Sequence, residues 1–307
     1  MKLEKGTVTV NFTIGFGNNI FQYVFARTLA EKNNMVLNHR GLPQLSIAPE
    51  HNKPNRNLKT ILVDDNNYKK ILFRDDVCNH NVVINGYFED YKIIKKNLDV
   101  IREWFPKVKK TNTKDVVLHL RLQNRLIQES HNKNHISAES YKSVIEQFDY
   151  ERLHIVTDAE KWAKYSMEGI EKIRREISIG PNPPSNSPWS PVEQSLEYIN
   201  HLITGLDDLN PIVHCNGAAT IPNSGGLRDD FMTDFNFIRQ FEQVVVHNST
   251  FSWWAATLSG AKRVAIFNPW KIAKSPEYRR NLGQTDFHGW FNWGSSDDLY
   301  FKHYGVK

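Results

Sequence analysis

The chain has 307 residues, of which 40% are hydrophobic and 24% charged, and a formal net charge of +5; this is enough for one large or two ordinary domains, each with a real core. No window approaches the roughly 18 consecutive apolar residues of a membrane span, and Met1-Lys2-Leu3-Glu4-Lys5 lacks a signal-peptide core, so a cytoplasmic protein is expected. Cys78 and Cys215 are too few for a disulfide framework, and the scattered Lys and Arg residues argue against a nucleic-acid stripe while allowing an acidic small-molecule ligand.

Residues 7–13 alternate in β-rich side chains and predict a strand, which runs into Gly15-Phe16-Gly17-Asn18-Asn19. Helical spacing follows over residues 20–32. A glycine loop between strand and helix can bring backbone close to a ligand. The third glycine of the dinucleotide fingerprint is missing, however, and spacing alone reads this loop as a tight structural turn. Residues 40–70 are polar and carry no pattern. Val82-Val83-Ile84 predicts a buried strand that ends at Asn85-Gly86-Tyr87-Phe88-Glu89-Asp90, and helical spacing then runs through Ile93, Ile94, Leu98, Ile101 and Phe105 to stop at Pro106. The basic, polar segment 107–114 marks a boundary, giving domains of residues 1–110 and 111–307.

A second series of strand and helix follows. Residues 116–120 predict a strand delivering His119 and Arg121 at its carboxyl end, and residues 138–148 a helix capped by Ser137. Residues 153–156 are the next strand, delivering Thr157 and Asp158, with Trp162 on a helix after it. Proline-rich residues 177–191 read as an exposed loop, 193–206 as a short helix, 211–214 as a strand, 217–229 as a loop and 234–241 as a helix. Then comes Val244-Val245-Val246-His247-Asn248-Ser249-Thr250-Phe251-Ser252, a strand, a hydroxyl-rich turn and the start of a helix that stops at Gly260. Residues 262–267 predict a last strand, and an irregular aromatic tail carries Trp270, Trp290, Phe291 and Trp293.

Strands alternating with helices over two segments imply two doubly wound α/β domains, with ligand groups at the carboxyl ends of the strands. His119, Arg121, Asp158 and the turn from Asn248 to Ser252 all fall at such ends. A helix start offers unpaired N–H groups and the positive end of the dipole, and Arg121 offers a forked, permanent cation, so together they suit a diphosphate. The same residues also admit plainer roles, Ser249 or Thr250 as a helix cap and Arg121 as a salt-bridge partner. No Asp, Glu and His cluster has metal-ligand spacing, so these groups would have to carry the diphosphate charge without a metal.

Several separated segments resemble the α-1,2-fucosyltransferase family and its wider fucosyltransferase clan. Gly15-Phe16-Gly17-Asn18-Asn19-Ile20-Phe21-Gln22-Tyr23-Val24-Phe25-Ala26-Arg27 is similar to the family's GxGNQxFQYAFAR, and Gly86-Tyr87-Phe88-Glu89 to its GYFQ. His119-Leu120-Arg121 matches the start of HxRRGD, and Thr157-Asp158 with Trp162 resembles SDDxxWxK. Residues 248–256 reproduce NSTFSWWAA residue for residue. The resemblance implies a GT-B glycosyltransferase of two doubly wound Rossmann-like domains facing each other across a cleft, the acceptor on the N-terminal side and GDP-fucose on the C-terminal side. It implies an inverting transfer of L-fucose to a glycan hydroxyl in α-1,2 linkage, with no metal or other cofactor. The partners are then a nucleotide-sugar donor and a glycan or glycoconjugate acceptor.

Residue by residue, the resemblance implies Arg121 on the β-phosphate and Asn18 near the reacting centre as the catalytic pair. The donor-binding set is Gly15, Gly17, His119, Arg121, Asp158, Asn248, Ser249, Thr250, Phe251 and Ser252. Where the family continues with a second Arg and Gly-Asp, this chain has Leu122-Gln123-Asn124, a departure shared in part by protein O-fucosyltransferases. That leaves no motif carboxylate as base. Glu89, Glu129 and His131 are candidates for the acceptor's proton, each also readable as a solvated surface residue. Trp253 and Trp254 read as packing behind the helix start. The alternatives are the same scaffold with another nucleotide sugar, or a non-catalytic nucleotide- or sugar-binding module.

Overall fold

A computed structural model describes residues 5–13, 15–122, 136–157, 192–214, 231–247, 249–267 and 290–293. They form an α/β structure with two all-parallel sheets flanked by helices. The chain divides into two compact units, the first reaching Lys107 and the second beginning at Val108.

In the first unit, strands β1 (Thr7–Val10), β2 (Val36–Asn38), β3 (Thr60–Val63) and β4 (Asn81–Ile84) lie in the order β2-β1-β4-β3, every pairing parallel. Helix α1 (Phe16–Lys32) puts Phe25, Ala26 and Leu29 into one core with Val8, Val10, Val82 and Ile84. Helix α1 begins at Phe16, four residues before its apolar spacing suggests. Gly15, at φ 102, supplies the turn, and its carbonyl accepts from Asn19 N at 3.0 Å. Gly17, Asn18 and Asn19 are therefore first-turn helix residues and not a loop.

Helix α2 (Tyr68–Leu72) follows β3, and the spacing from Ile93 to Phe105 becomes two short helices, α3 (Tyr91–Lys96) and α4 (Leu98–Glu103). The break falls at Asn97, whose side chain donates back to the Ile93 carbonyl at 2.9 Å and competes with the helical ladder.

The second unit contains β5 (Asn112–Leu120), α5 (Ala138–Ile145), β6 (Leu153–Thr157), α6 (Val192–Leu206), β7 (Ile212–His214), α7 (Phe231–Ile238), β8 (Phe241–Val246), α8 (Thr250–Ser259), β9 (Arg263–Phe267) and β10 (Trp290–Trp293). The strand order is β10-β9-β8-β5-β6-β7, again all parallel. Ser137 caps α5 as its position suggests, accepting from Ser140 N at 3.2 Å. Two readings change. Residues 112–114, placed by composition in a linker, belong to β5, anchored where Gln240 O accepts from Asn112 N. Residues 290–293, read as irregular tail, form β10 in register with residues 264–267 of β9.

Helix α6 crosses α5 at Gly205, where an added Cβ would lie 2.3 Å from the Ala138 Cβ. Gly205→Ala should force the helices apart and cost about 1–3 kcal/mol, read as a lower urea midpoint at constant slope. An unchanged midpoint would contradict so close an approach. Among the described residues, no helix is long and apolar enough to cross a membrane.

Candidate functional site

The second sheet determines where its chemistry gathers. From β5 the chain moves outward on one side through β6 to β7, then returns to the other side of β5 for β8, β9 and β10. The strand order thus reverses between β5 and β8, and in open α/β sheets ligands settle outside the carboxyl ends of the strands at such a reversal. The register pairs His119 with Val246, so Arg121 and the residues after His247 leave the sheet at the same level on adjacent strands. Both strands are held in the core through Val116, Val117 and Leu118 on one and Val244, Val245 and Val246 on the other, all of them buried.

The sequence-predicted residues take distinct places here. Arg121 is half-buried, directly beyond β5. His119 is buried, with its ring 5.3 Å from that of Phe251 at 33°. Phe251 in turn lies 5.2 Å from Phe235 and 6.3 Å from Phe231 on α7. This aromatic cluster fixes the start of α8 against the end of β5, so His119 and Phe251 act on the position of the helix. Ser249 is the N-cap residue of α8, yet its side chain makes no cap hydrogen bond. The first turn contains no acidic residue either. Its positive dipole end therefore meets no carboxylate from its own helix, and the helix-start N–H groups are oriented toward the space beyond the sheet. Ser252 is fully buried, its hydroxyl donating to the Ser249 carbonyl at 3.3 Å, which stiffens the turn. Ser249 and Thr250 are only partly buried. Asp158, Asn248, Glu129 and His131 lie outside the described residues.

One pair was invisible in the sequence. His247, the first residue beyond β8, hydrogen-bonds through Nδ1 to the hydroxyl of Tyr141 on α5, and both side chains are buried. The His247 carbonyl accepts from Ser249 N at 2.6 Å, so the turn that opens α8 is tied to α5. No spacing rule could join two positions so far apart in the chain. A second unforeseen feature is the burial of Leu122, the residue at which the sequence departs from the HxRRGD pattern it resembles. Leu122 is 1% exposed and packed in the core with Leu120, Ile136 and Tyr141.

In the first unit, Gly15, Gly17 and Asn18 open α1 at the carboxyl end of β1, where the strand order also reverses, between β1 and β4. Asn18 is half-buried, with its Nδ2 3.3 Å from the place a Gly15 Cβ would occupy. Gln22, one turn along, receives Thr13 N at 3.1 Å and donates to the Gly86 carbonyl at 2.7 Å, joining the two strand-end loops. Asp65 accepts from Tyr87 N at 2.9 Å and Phe88 N at 2.7 Å, which holds Phe88 at φ 54. Glu89 follows in this pinned loop and is buried, unlike the solvated surface carboxylate its polar surroundings suggest. No group of three or more potential metal ligands occurs among the described residues.

No family model matches this chain, and no curated protein or solved structure matches it.

Proposed function

We propose that the chain is an inverting, metal-independent glycosyltransferase of the GT-B kind that transfers L-fucose from GDP-fucose to a glycan hydroxyl in α-1,2 linkage. The observation that carries this reading is the placement of Arg121 and the start of α8, where Ser249 makes no side-chain cap hydrogen bond, on adjacent strand ends at the sheet's reversal point. In such a transfer the acceptor oxygen bonds to the anomeric carbon as the bond to the diphosphate breaks. Negative charge then grows on the leaving β-phosphate oxygen. A guanidinium and helix-start N–H groups already fixed in place stabilise that charge more in the transition state than in the ground state. The fucose assignment rests on the run from Asn248 to Ala256 and on the other segments shared with the fucosyltransferases. Asn18, at the start of α1, is assigned to the reacting centre and the first unit to the acceptor.

Leu122 favours one other reading. With an apolar core residue in place of the second arginine, the site holds less positive charge for a leaving group, as a nucleotide-binding module without turnover would. Thermal shifts with GDP, GDP-fucose, GDP-mannose, UDP and UDP-sugars, together with transfer assays on an oligosaccharide array, separate these readings. Stabilisation by GDP and GDP-fucose with labelled product on one acceptor class is expected. Stabilisation by GDP without transfer on any acceptor supports the binding module, and preference for UDP rules out the donor assignment.

A further inference from the structure

In the second unit's sheet, three strands contribute one line of polar side chains. Asp115 on β5, His154 on β6 and His214 at the end of β7 are joined in sequence: His154 Nε2 lies 3.3 Å from Asp115 Oδ2, and His154 Nδ1 lies 2.9 Å from His214 Nε2. The imidazoles are nearly parallel, at 15° with centroids 5.2 Å apart. Arg152, just before β6, grips the other side of Asp115 through Nε at 3.2 Å and Nη2 at 2.8 Å. The ring of Phe237 on α7 lies 5.7 Å from His154 and 4.4 Å from His214, and Phe241 on β8 lies 5.1 Å from His154. Among the described residues, the charged groups acting on the pair are thus Asp115 and Arg152, while α7 and β8 present aromatic rings.

The chemistry of this line allows few proton arrangements. Asp115 as a carboxylate accepts, so His154 Nε2 carries a hydrogen. A neutral His154 then has its lone pair at Nδ1 and receives the Nε2 hydrogen of His214. One added proton can be shared along the pair. A second places N–H against N–H at hydrogen-bond distance between two cations, and the link is lost. Of the strands involved, β5 and β6 each have neighbours on both sides, whereas β7 (Ile212–His214), among the described residues, stands at the sheet edge and pairs only with β6.

We infer that the Asp115–His154–His214 line is a proton-sensitive latch that holds edge strand β7 on the sheet near neutral pH and releases it in acid. This stands apart from the proposed sugar transfer. Burial holds both imidazoles below their ordinary pKa; for His154, Asp115 partly opposes this and Arg152 adds to it, and for His214 the neighbouring His154 adds to it. The released strand therefore binds more protons than the docked one. Docking is complete above the ordinary histidine pKa of about 6.5 and weakens as the pH falls below it. His214 sits in register with Val156, next to Thr157, so release would uncover the carboxyl end of β6.

Amide exchange measured by NMR on the full chain, corrected for intrinsic exchange, tests this. Between pH 7.5 and 5.5 the opening constant of the protected β7 amides should rise about tenfold if the docked pair keeps one added proton, and about a hundredfold if it takes none. The amides of β5 should not change. His214→Gln replaces the donor to His154 with one that does not titrate, and should hold β7 at both pH values. A pH-independent opening constant in the wild type, or the same pH response in His214→Gln, would overturn the latch. Should that variant fail to fold, the imidazole signals of the wild type decide. Linked titrations below the ordinary value are expected, and two independent curves near 6.5 would refute it.

Discussion

Arg121→Ala should lower kcat/KM for transfer by about a hundredfold to a thousandfold while leaving the unfolding midpoint within about 0.5 kcal/mol of wild type. The argument rests on where the charge is needed. Arg121 follows β5 at the sheet's reversal point, and among the assigned donor contacts it is the only side chain with a permanent positive charge. The helix-start N–H groups of α8 supply oriented partial charge and remain in the variant. In the proposed transfer, what is lost is the full cation assigned to the developing oxyanion, an effect larger in the transition state than in the bound donor. The deficit should therefore fall mainly on kcat, with a smaller rise in donor KM. Arg121→Lys keeps the charge but not the planar fork, and should recover only part of the rate. If Arg121→Ala transfers as fast as wild type, the phosphate assignment is wrong. If the wild type binds GDP and neither variant weakens that binding, the anion site lies elsewhere.

How much of this was legible in the sequence depends on whether the information was local. The central strands β5 and β8 were visible because strands buried on both faces read as unbroken apolar runs, as in Val116-Val117-Leu118 and Val244-Val245-Val246. The ends of those strands carried Arg121 and Ser249 with them, so half of the candidate site could be placed by counting. Strand β3 was hidden in the polar segment of residues 40–70, and β2 just before it was not read as a strand. Each is short, lies at a sheet edge and exposes residues such as Val36 and Leu62. Strand β10 was missed because Trp290-Phe291-Asn292-Trp293 has no alternation, and only pairing with β9 makes it a strand.

The start of α1 was misplaced for a related reason. Gly17, Asn18 and Asn19 have poor helix propensity, and the burial of Gly17 and Asn19 with the rest of the helix outweighs it. The Tyr141–His247 bond and the Asp115–His154–His214 line had no local signature at all. They join residues on different elements, brought together by the packing of α5 in the first case and by the parallel register in the second.

Trp254→Ala should be the most damaging single change to the second unit's stability, costing about 3–5 kcal/mol. Trp253 and Trp254 are 1% and 0% exposed, and their rings meet edge to face at 5.1 Å and 85°. Few residues are large enough to refill such a volume, and the strands beneath are held by pairing on both sides, so collapse around the void is restricted. The loss also has a direction. Trp253 N donates to the Ser249 carbonyl at 3.0 Å, and the Thr257 hydroxyl donates to the Trp253 carbonyl at 2.8 Å, so the tryptophan pair sits in the same turns that begin at the N-cap. Loosening this packing lets the start of α8 shift relative to Arg121. The Trp254→Phe variant keeps an aromatic plane and should lose roughly half as much stability. In both variants the fraction that remains folded should bind GDP more weakly than wild type, a readout separate from the unfolding midpoint. A midpoint loss below about 1 kcal/mol in Trp254→Ala would show that the pair is not the support beneath this helix.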